Sequence, residues 1–461
     1  MKSNRDKSAG GRGWLVGKSF EVPGLHNAFS FAVFNALSFQ VVLSSPMVLY
    51  AKSLEASATV LGIIAGMMPL LVIFQIPAAN YVMRIGYKRF VLAGWFMRVM
   101  FIFGMALVPL TSVLLSTTSR LALILMFLFG FNLSRGISSC AWLPWITSLV
   151  PAAARGRYLA SEAACVNVAS IFAFTLSAMC LGARPRSWQF SVVFAFSAVM
   201  GLISLTFLRR IPEAETPEQV RVSAAPVPWR EIASYAPFRK LLNLNMVWSA
   251  AYGGLTAFVV AFMKVEMSMG DQAILLITGF SFLGGLVSLW FLGSRMDRLG
   301  SKPVLSFSFA AWFFIQLGWI LVAAKGPTHR WLFLLALQFF MGLGIALVNM
   351  ANTRLAMATI PTMGRNHFFA LYSVTGNLVQ GIAPILWGLL IDALGPLNVR
   401  WHGLVWNRFS VFFAAVAVVF LLALALSRRL HEPAAVRMDE LLREILIQSP
   451  IRFWLRLWPR G

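Results

Sequence analysis

The sequence predicts an all-α polytopic membrane protein, with twelve transmembrane helices arranged as two pseudo-symmetric six-helix bundles. Three observations carry that prediction. Asp, Glu, Lys and Arg make up only 12% of 461 residues and hydrophobic residues 59%; mean hydropathy is +0.76; and the apolar residues gather into twelve runs of about 20, the length that spans a ~30 Å hydrocarbon core. A folded body in water would lack the polar surface to cover so much apolar side chain. Helices are required, because an unpaired backbone amide in hydrocarbon costs several kcal/mol and barrel strands would be shorter and alternating.

The elements follow in order. Residues 1–25 are a polar, basic tail. The first apolar run is longer than a signal-peptide core and lacks a small-residue cleavage site after it, so it is a retained span. Runs near 26–51, 58–80, 90–112, 121–148, 157–181 and 189–208 form the amino-terminal bundle, 26–208. Residues 209–240, with five prolines and four glutamates, form the linker. Runs near 242–264, 273–292, 304–324, 331–355, 368–392 and 409–427 form the carboxy-terminal bundle, 241–428. In the last segment, 429–461, an amphipathic stretch Val436–Gln448 precedes IRFWLRLWPR, where Arg alternates with Phe, Trp and Leu. This pattern predicts a basic amphipathic tail lying on anionic lipid.

Charge placement sets the orientation. Lys plus Arg number 39 against 16 Asp plus Glu. With the amino terminus in the cytoplasm, 28 of the cations fall on cytoplasmic segments and nine on the opposite side. The bias predicts both termini in the cytoplasm and a multi-pass protein of the plasma (cytoplasmic or inner) membrane. Basic loops facing anionic lipid account for the surplus without nucleic acid. Cys140, Cys165 and Cys180 lie in apolar runs without ligand spacing, so neither disulfides nor a metal site is expected.

The two halves share landmarks. Gly293-Ser-Arg-Met-Asp297-Arg298-Leu-Gly300-Ser-Lys302 matches Ala79-Asn-Tyr-Val-Met83-Arg84-Ile-Gly86-Tyr-Lys88 at an offset of 214. Pro151 to Arg155 matches Pro361 to Arg365, and Asn167 matches Asn377, at an offset of 210. Two related six-span halves explain this economically. The chain thereby resembles the major facilitator superfamily, whose loop signature is G-x-x-x-D-R-x-G-x-[RK]. The copy through Gly293, Asp297, Arg298, Gly300 and Lys302 is complete; the copy with Arg84, Gly86 and Lys88 lacks the first Gly and the Asp. The resemblance implies that this loop latches the halves as the carrier rocks. Read from the residues alone, it is equally a positive-inside loop.

The resemblance also implies a central cavity lined by spans one, four, seven and ten. Asn35 and Ser38, Asn132 and Arg135, Tyr252, and Gln338 are the substrate-binding candidates on those spans, which also carry Gln40, Ser138, Ser139, Asn245, Ser249, Thr256, Asn349 and Asn352. Polar faces on lipid-soluble helices belong against protein or water. Arg135 lies about 13 residues from its span's cytoplasmic end, roughly 20 Å, too deep to snorkel. It either forks a substrate anion or meets a structural partner. Glu162 is either a proton-coupling carboxyl or the counter-ion of Arg98 or Arg135. The antiporter Gly-Pro signature is missing from span five, while Gly381-Ile-Ala-Pro384 and Gly388 stand in span eleven.

No enzyme chemistry is legible. The motif GRGWLVGKSF has Arg12 where a phosphate loop needs Gly, and five scattered His residues have no ligand spacing. The expectation is a cofactor-free, monomeric secondary or facilitative carrier for a small organic solute, anionic or amphipathic if Arg135 binds it. The rivals are efflux of lipophilic compounds and a non-transporting receptor or scaffold on the same fold.

Overall fold

The computed structural model describes residues 24–150, 155–213, 235–292, 300–324, 331–359, 365–401 and 404–430. The expected basic tails, most of the linker, and Gly293, Asp297 and Arg298 therefore lie outside the described residues. Among the described residues, twelve helical units are long and apolar enough to cross a membrane. In order, the spans begin with span 1 as His26–Leu43 plus Ser45–Ser53. Span 2 is Ala58–Leu71 plus Gln75–Ile85, joined by the short 3-10 turn Val72–Phe74. Spans 3 to 6 are Tyr87–Leu107, Thr117–Leu149, Arg155–Leu181 and Ser187–Arg210. Span 7 is Ala236–Tyr252 plus Leu255–Val265. Spans 8 to 12 are Asp271–Leu292, Ser301–Ala324, Trp331–Thr359, Arg365–Ala393 and Arg408–Arg428. The longer second-half loop carries a hairpin, β1 (Asn398–Trp401) against β2 (Leu404–Asn407), with Asn398 opposite Asn407.

Packing repeats between the halves as the sequence offsets require. Span 1 packs on spans 5 and 6, and span 7 on spans 11 and 12; span 3 packs on spans 4 and 6, and span 9 on spans 10 and 12. Gly86 and Gly300, matched at offset 214, both hold positive φ, +87° and +84°, immediately before spans 3 and 9. Only glycine adopts that conformation cheaply, so this position of the loop signature is fixed by backbone geometry. Arg84 is exposed beside it, and Lys88 and Lys302 are half-buried. Asn167 and Asn377 also behave alike, each donating its side-chain amide to the carbonyl four residues back, at 2.9 and 2.8 Å.

The breaks in spans 1 and 7 occur at equivalent places. In span 1, Ser44 is extended and Pro46 follows at the start of the next helix, where its missing N–H does no harm. In span 7, Gly254 takes a left-handed conformation at φ +74°. A Cβ there would stand 2.8 Å from that of Pro384 on span 11, so both backbone and packing demand glycine.

Candidate functional site

A cavity of about 570 Å³ lies between the halves, bordered by both breaks. Gln40, Ser44 and Ser45 of span 1, Met68 of span 2, and Asn167 and Phe174 of span 5 form one wall. Tyr252 and Thr256 of span 7, Thr278 and Ser281 of span 8, Trp312 of span 9, and Gln338 and Asn349 of span 10 form the other. Its size falls within the range of pockets for small organic molecules, ≈ 300–1,000 Å³. Among the described residues, none that lines it is Asp, Glu, Lys, Arg or His.

The wall is built from polar groups partly committed to protein. Gln40 donates to Ser170 at 2.8 Å, which holds its amide without using its carbonyl oxygen. Thr278 and Ser281 return their hydroxyl protons to their own helix at 2.8 and 2.7 Å, keeping lone pairs free to accept. Tyr252 and Trp312 belong to an aromatic stack: Tyr252 lies 5.1 Å from Trp248, and Trp312 lies 5.2 Å from Phe420. Trp312 Nε1 is buried with no hydrogen-bond acceptor in the protein. It lies against Gly344 of span 10, where a Cβ would come within 2.8 Å of it.

One end of the cavity is sealed. At the end opposite to where span 1 begins, the first helix of span 2 packs along span 11, and span 5 along span 8. Gly62 and Gly66 lie directly on the carbonyls of Pro384 and Gly381, and Gly388 sits on Ala58 and Thr59. Small residues let these backbones approach, and any side chain would hold them apart. Asp392 of span 11 then crosses to cap span 2: its carboxylate accepts from Ala58 N at 2.9 Å, Thr59 N at 2.8 Å and Thr59 Oγ1 at 2.6 Å. A negative charge on free amides at a helix start answers both the unpaired donors and the helix dipole. The pseudo-symmetric seam uses backbone instead: Gln272 N donates to Gly182 O at 2.8 Å and Asp271 N to Ala183 O at 3.2 Å. Toward the other end, Gln75–Ile85 of span 2 packs on spans 3 and 4 of its own half. Among the described residues, the halves therefore meet most closely at the sealed end.

Of the six sequence-derived substrate residues, Tyr252 and Gln338 line the cavity, and Asn35, Ser38, Asn132 and Arg135 do not. Asn35 accepts from Trp95 Nε1 at 3.3 Å, and the Ser38 carbonyl accepts from Ser197 at 2.8 Å. Asn132 donates to Leu128 O at 2.9 Å. Span 4 contributes nothing to the wall because its glycine and serine face is used for packing: Gly136 lies on the Leu71 carbonyl, and Ser138 on Gly94. Asn167, Thr278 and Ser281 were missed as wall residues. Thr278, Ser281 and Gly285 recur at helical spacing on span 8, a signal available in the sequence. Glu162 is half-buried one residue from Ala163, which does line the cavity. Among the described residues no ion pair joins it to Arg98 or Arg135; the pairs found are Lys264–Asp271 and Arg408–Glu266.

Comparison with known proteins agrees with this architecture. The sequence profile of the Major Facilitator Superfamily matches residues 28–270 and 256–459. An uncharacterized MFS-type transporter of Methanocaldococcus jannaschii is 22% identical over 390 residues, covering 80% of this chain and 90% of that one. A D-xylose–proton symporter structure superposes with TM-score 0.71 at 12% identity, covering 89% of this chain and 98% of that one. The nucleoside transporter NupG, as a D323A mutant, does so with TM-score 0.67 at 11% identity, covering 89% and 100%. The inward-open xylose transporter XylE of E. coli gives TM-score 0.66 at 12% identity, covering 88% and 96%. At these identities the structural likeness speaks to the fold.

Proposed function

Because the chain belongs to the major facilitator superfamily, and so is a multi-pass membrane transporter, we propose that it moves a small, uncharged polar solute by alternating access around the cavity between its halves. The observation that carries this is the cavity wall: amides and hydroxyls from both halves, an aromatic side and, among the described residues, no ionised group. A charged solute would surrender its hydration there without a counter-charge, whereas hydroxyls or amides exchange water for Gln40, Asn167, Gln338 and Asn349. The anionic solute inferred from Arg135 loses support, since that residue is off the wall.

With both termini cytoplasmic, as the Lys and Arg bias favours, the Asp392 seam closes the outer side and the cavity faces inward. Glu162 is the coupling carboxyl in this reading, lying toward the cytoplasmic end and, among the described residues, in no ion pair with an arginine. The basic tail rests on anionic lipid, and the monomer is the working unit.

The test is a ligand thermal-shift screen on purified protein, followed by flux of the hits into proteoliposomes. Binding stabilises the folded carrier by mass action. Polyols, sugars and nucleosides are expected to shift the midpoint, and Gln338→Ala is expected to weaken that shift. Hits confined to organic anions would refute the solute class, hits confined to lipophilic cations would favour efflux, and binding without flux would favour a receptor.

A further inference from the structure

Outside the cavity, Arg98 of span 3 and Arg135 of span 4 form an unusual pair. Arg98 is 4% exposed. Its guanidinium carbon lies 4.5 Å from the Trp95 ring and 5.0 Å from the Phe131 ring. These faces attract a cation, but they do nothing for N–H donors in the guanidinium plane. Arg98 Nε is indeed buried without a hydrogen-bond partner.

Spans 3 and 4 run antiparallel, Gly94 against Ser138 and Phe101 against Gly130. That register sets Arg98 opposite the turn from Phe131 to Arg135, with its guanidinium against the Phe131 ring. Met126, Phe129 and Ile137 mark the exposed stripe of span 4. At 100° per residue Arg135 falls on the opposite side, toward protein rather than lipid. Among the described residues neither arginine takes part in an ion pair. Both side chains are guanidinium cations, so two like charges share this part of the half.

We propose that Arg98 and Arg135 form a subsite for one small oxyanion, a carboxylate or phosphate group, separate from the central cavity. A single oxyanion answers both charges and fills the in-plane donors that the rings leave open. Trp95, which backs Arg98, is pinned by its hydrogen bond to Asn35, giving that predicted residue a positioning role. None of Asn35, Trp95, Arg98, Phe131 and Arg135 lines the cavity, and all lie in one half. Occupancy therefore does not require the halves to close.

The experiment is a thermal-shift titration of the purified full-length protein with sodium phosphate and sodium acetate, against sodium chloride at matched ionic strength. Phosphate or acetate is expected to raise the melting midpoint saturably, and chloride is not. Arg135→Gln is expected to weaken that apparent affinity at least tenfold, and Arg135→Lys, which keeps the charge and loses the fork, several-fold. Arg98→Met is expected to melt above wild type in oxyanion-free buffer and to lose the response. Repeating the titration in phosphatidylglycerol and phosphatidylcholine nanodiscs identifies the source: a blunted phosphate response in phosphatidylglycerol marks a lipid headgroup as occupant, an equal one a soluble ion. A chloride response equal to phosphate, no response, or wild-type affinity in both Arg135 variants overturns the proposal. Should Arg98→Met fail to fold, the Arg135 variants decide.

Discussion

Replacing Asp392 with Ala should loosen the sealed end of the cavity without touching its wall. The carboxylate accepts three hydrogen bonds from the start of span 2, at 2.6 to 2.9 Å. Loss of an N-cap costs about 0.5–2 kcal/mol, and hydrogen bonds to a charged group about 1.5–3 kcal/mol each before water replaces them. Asp392 is only half-buried, so water recovers part of that, leaving about 2 kcal/mol. When the seam opens, span 2 leaves span 11 and these bonds are lost anyway, so the penalty falls on the sealed state alone. By the usual tenfold per 1.4 kcal/mol, the ratio of open to sealed carriers should rise about 30-fold. Asp392→Asn keeps one acceptor and loses the charge, for which about fivefold is expected on the same scale. Spin labels at Glu55 and Ala393, both exposed near the seam, in a background with Cys140, Cys165 and Cys180 replaced, report the separation by pulsed dipolar spectroscopy. A longer-distance population should appear in Asp392→Ala and be smaller in Asp392→Asn. Distance distributions identical to wild type in both variants would show that the glycine contacts alone hold the seam.

Three other outcomes follow from the geometry. Glu162→Gln should abolish pH-driven accumulation while leaving expression and solute-binding affinity near wild type; a large fall in folded yield would instead mark the carboxyl as structural. Gln338→Ala and Tyr252→Ala, measured by solute titration, should each weaken binding about 2- to 10-fold, the worth of one ordinary hydrogen bond, while Ser38→Ala should not. Gly342→Ala would drive a methyl into the Ser281 carbonyl where spans 8 and 10 touch; overpacking of this kind costs about 1–3 kcal/mol, to be read as a lower melting midpoint of purified protein.

The internal repeat was informative because it recorded backbone requirements. Gly86 and Gly300 match in sequence and share a positive φ, and Gly381, Pro384 and Gly388 were visible as an odd stretch before their place in the seam was known. Arg135 illustrates the opposite case. Its depth was readable by counting residues, yet the side of the helix that meets solute depends on how span 4 is rotated against spans 2 and 3. Gly136 on Leu71 and Gly94 on Ser138 fix that rotation, and neither contact is a local property of the chain. For Glu162, among the described residues no ion pair joins it to Arg98 or Arg135, and depth along the membrane says nothing of lateral neighbours.

What the sequence determined by itself is the solvent, the number of spans and their duplication, because hydropathy and run length answer to the bilayer one segment at a time. Only the tertiary structure decided which polar residues face the cavity, that Asp392 bridges the two halves, and that Arg98 lies against the turn of span 4 that carries Arg135. Those facts depend on helix rotation and on pairing between segments hundreds of residues apart, set by close packing of side chains that the order of residues does not reveal.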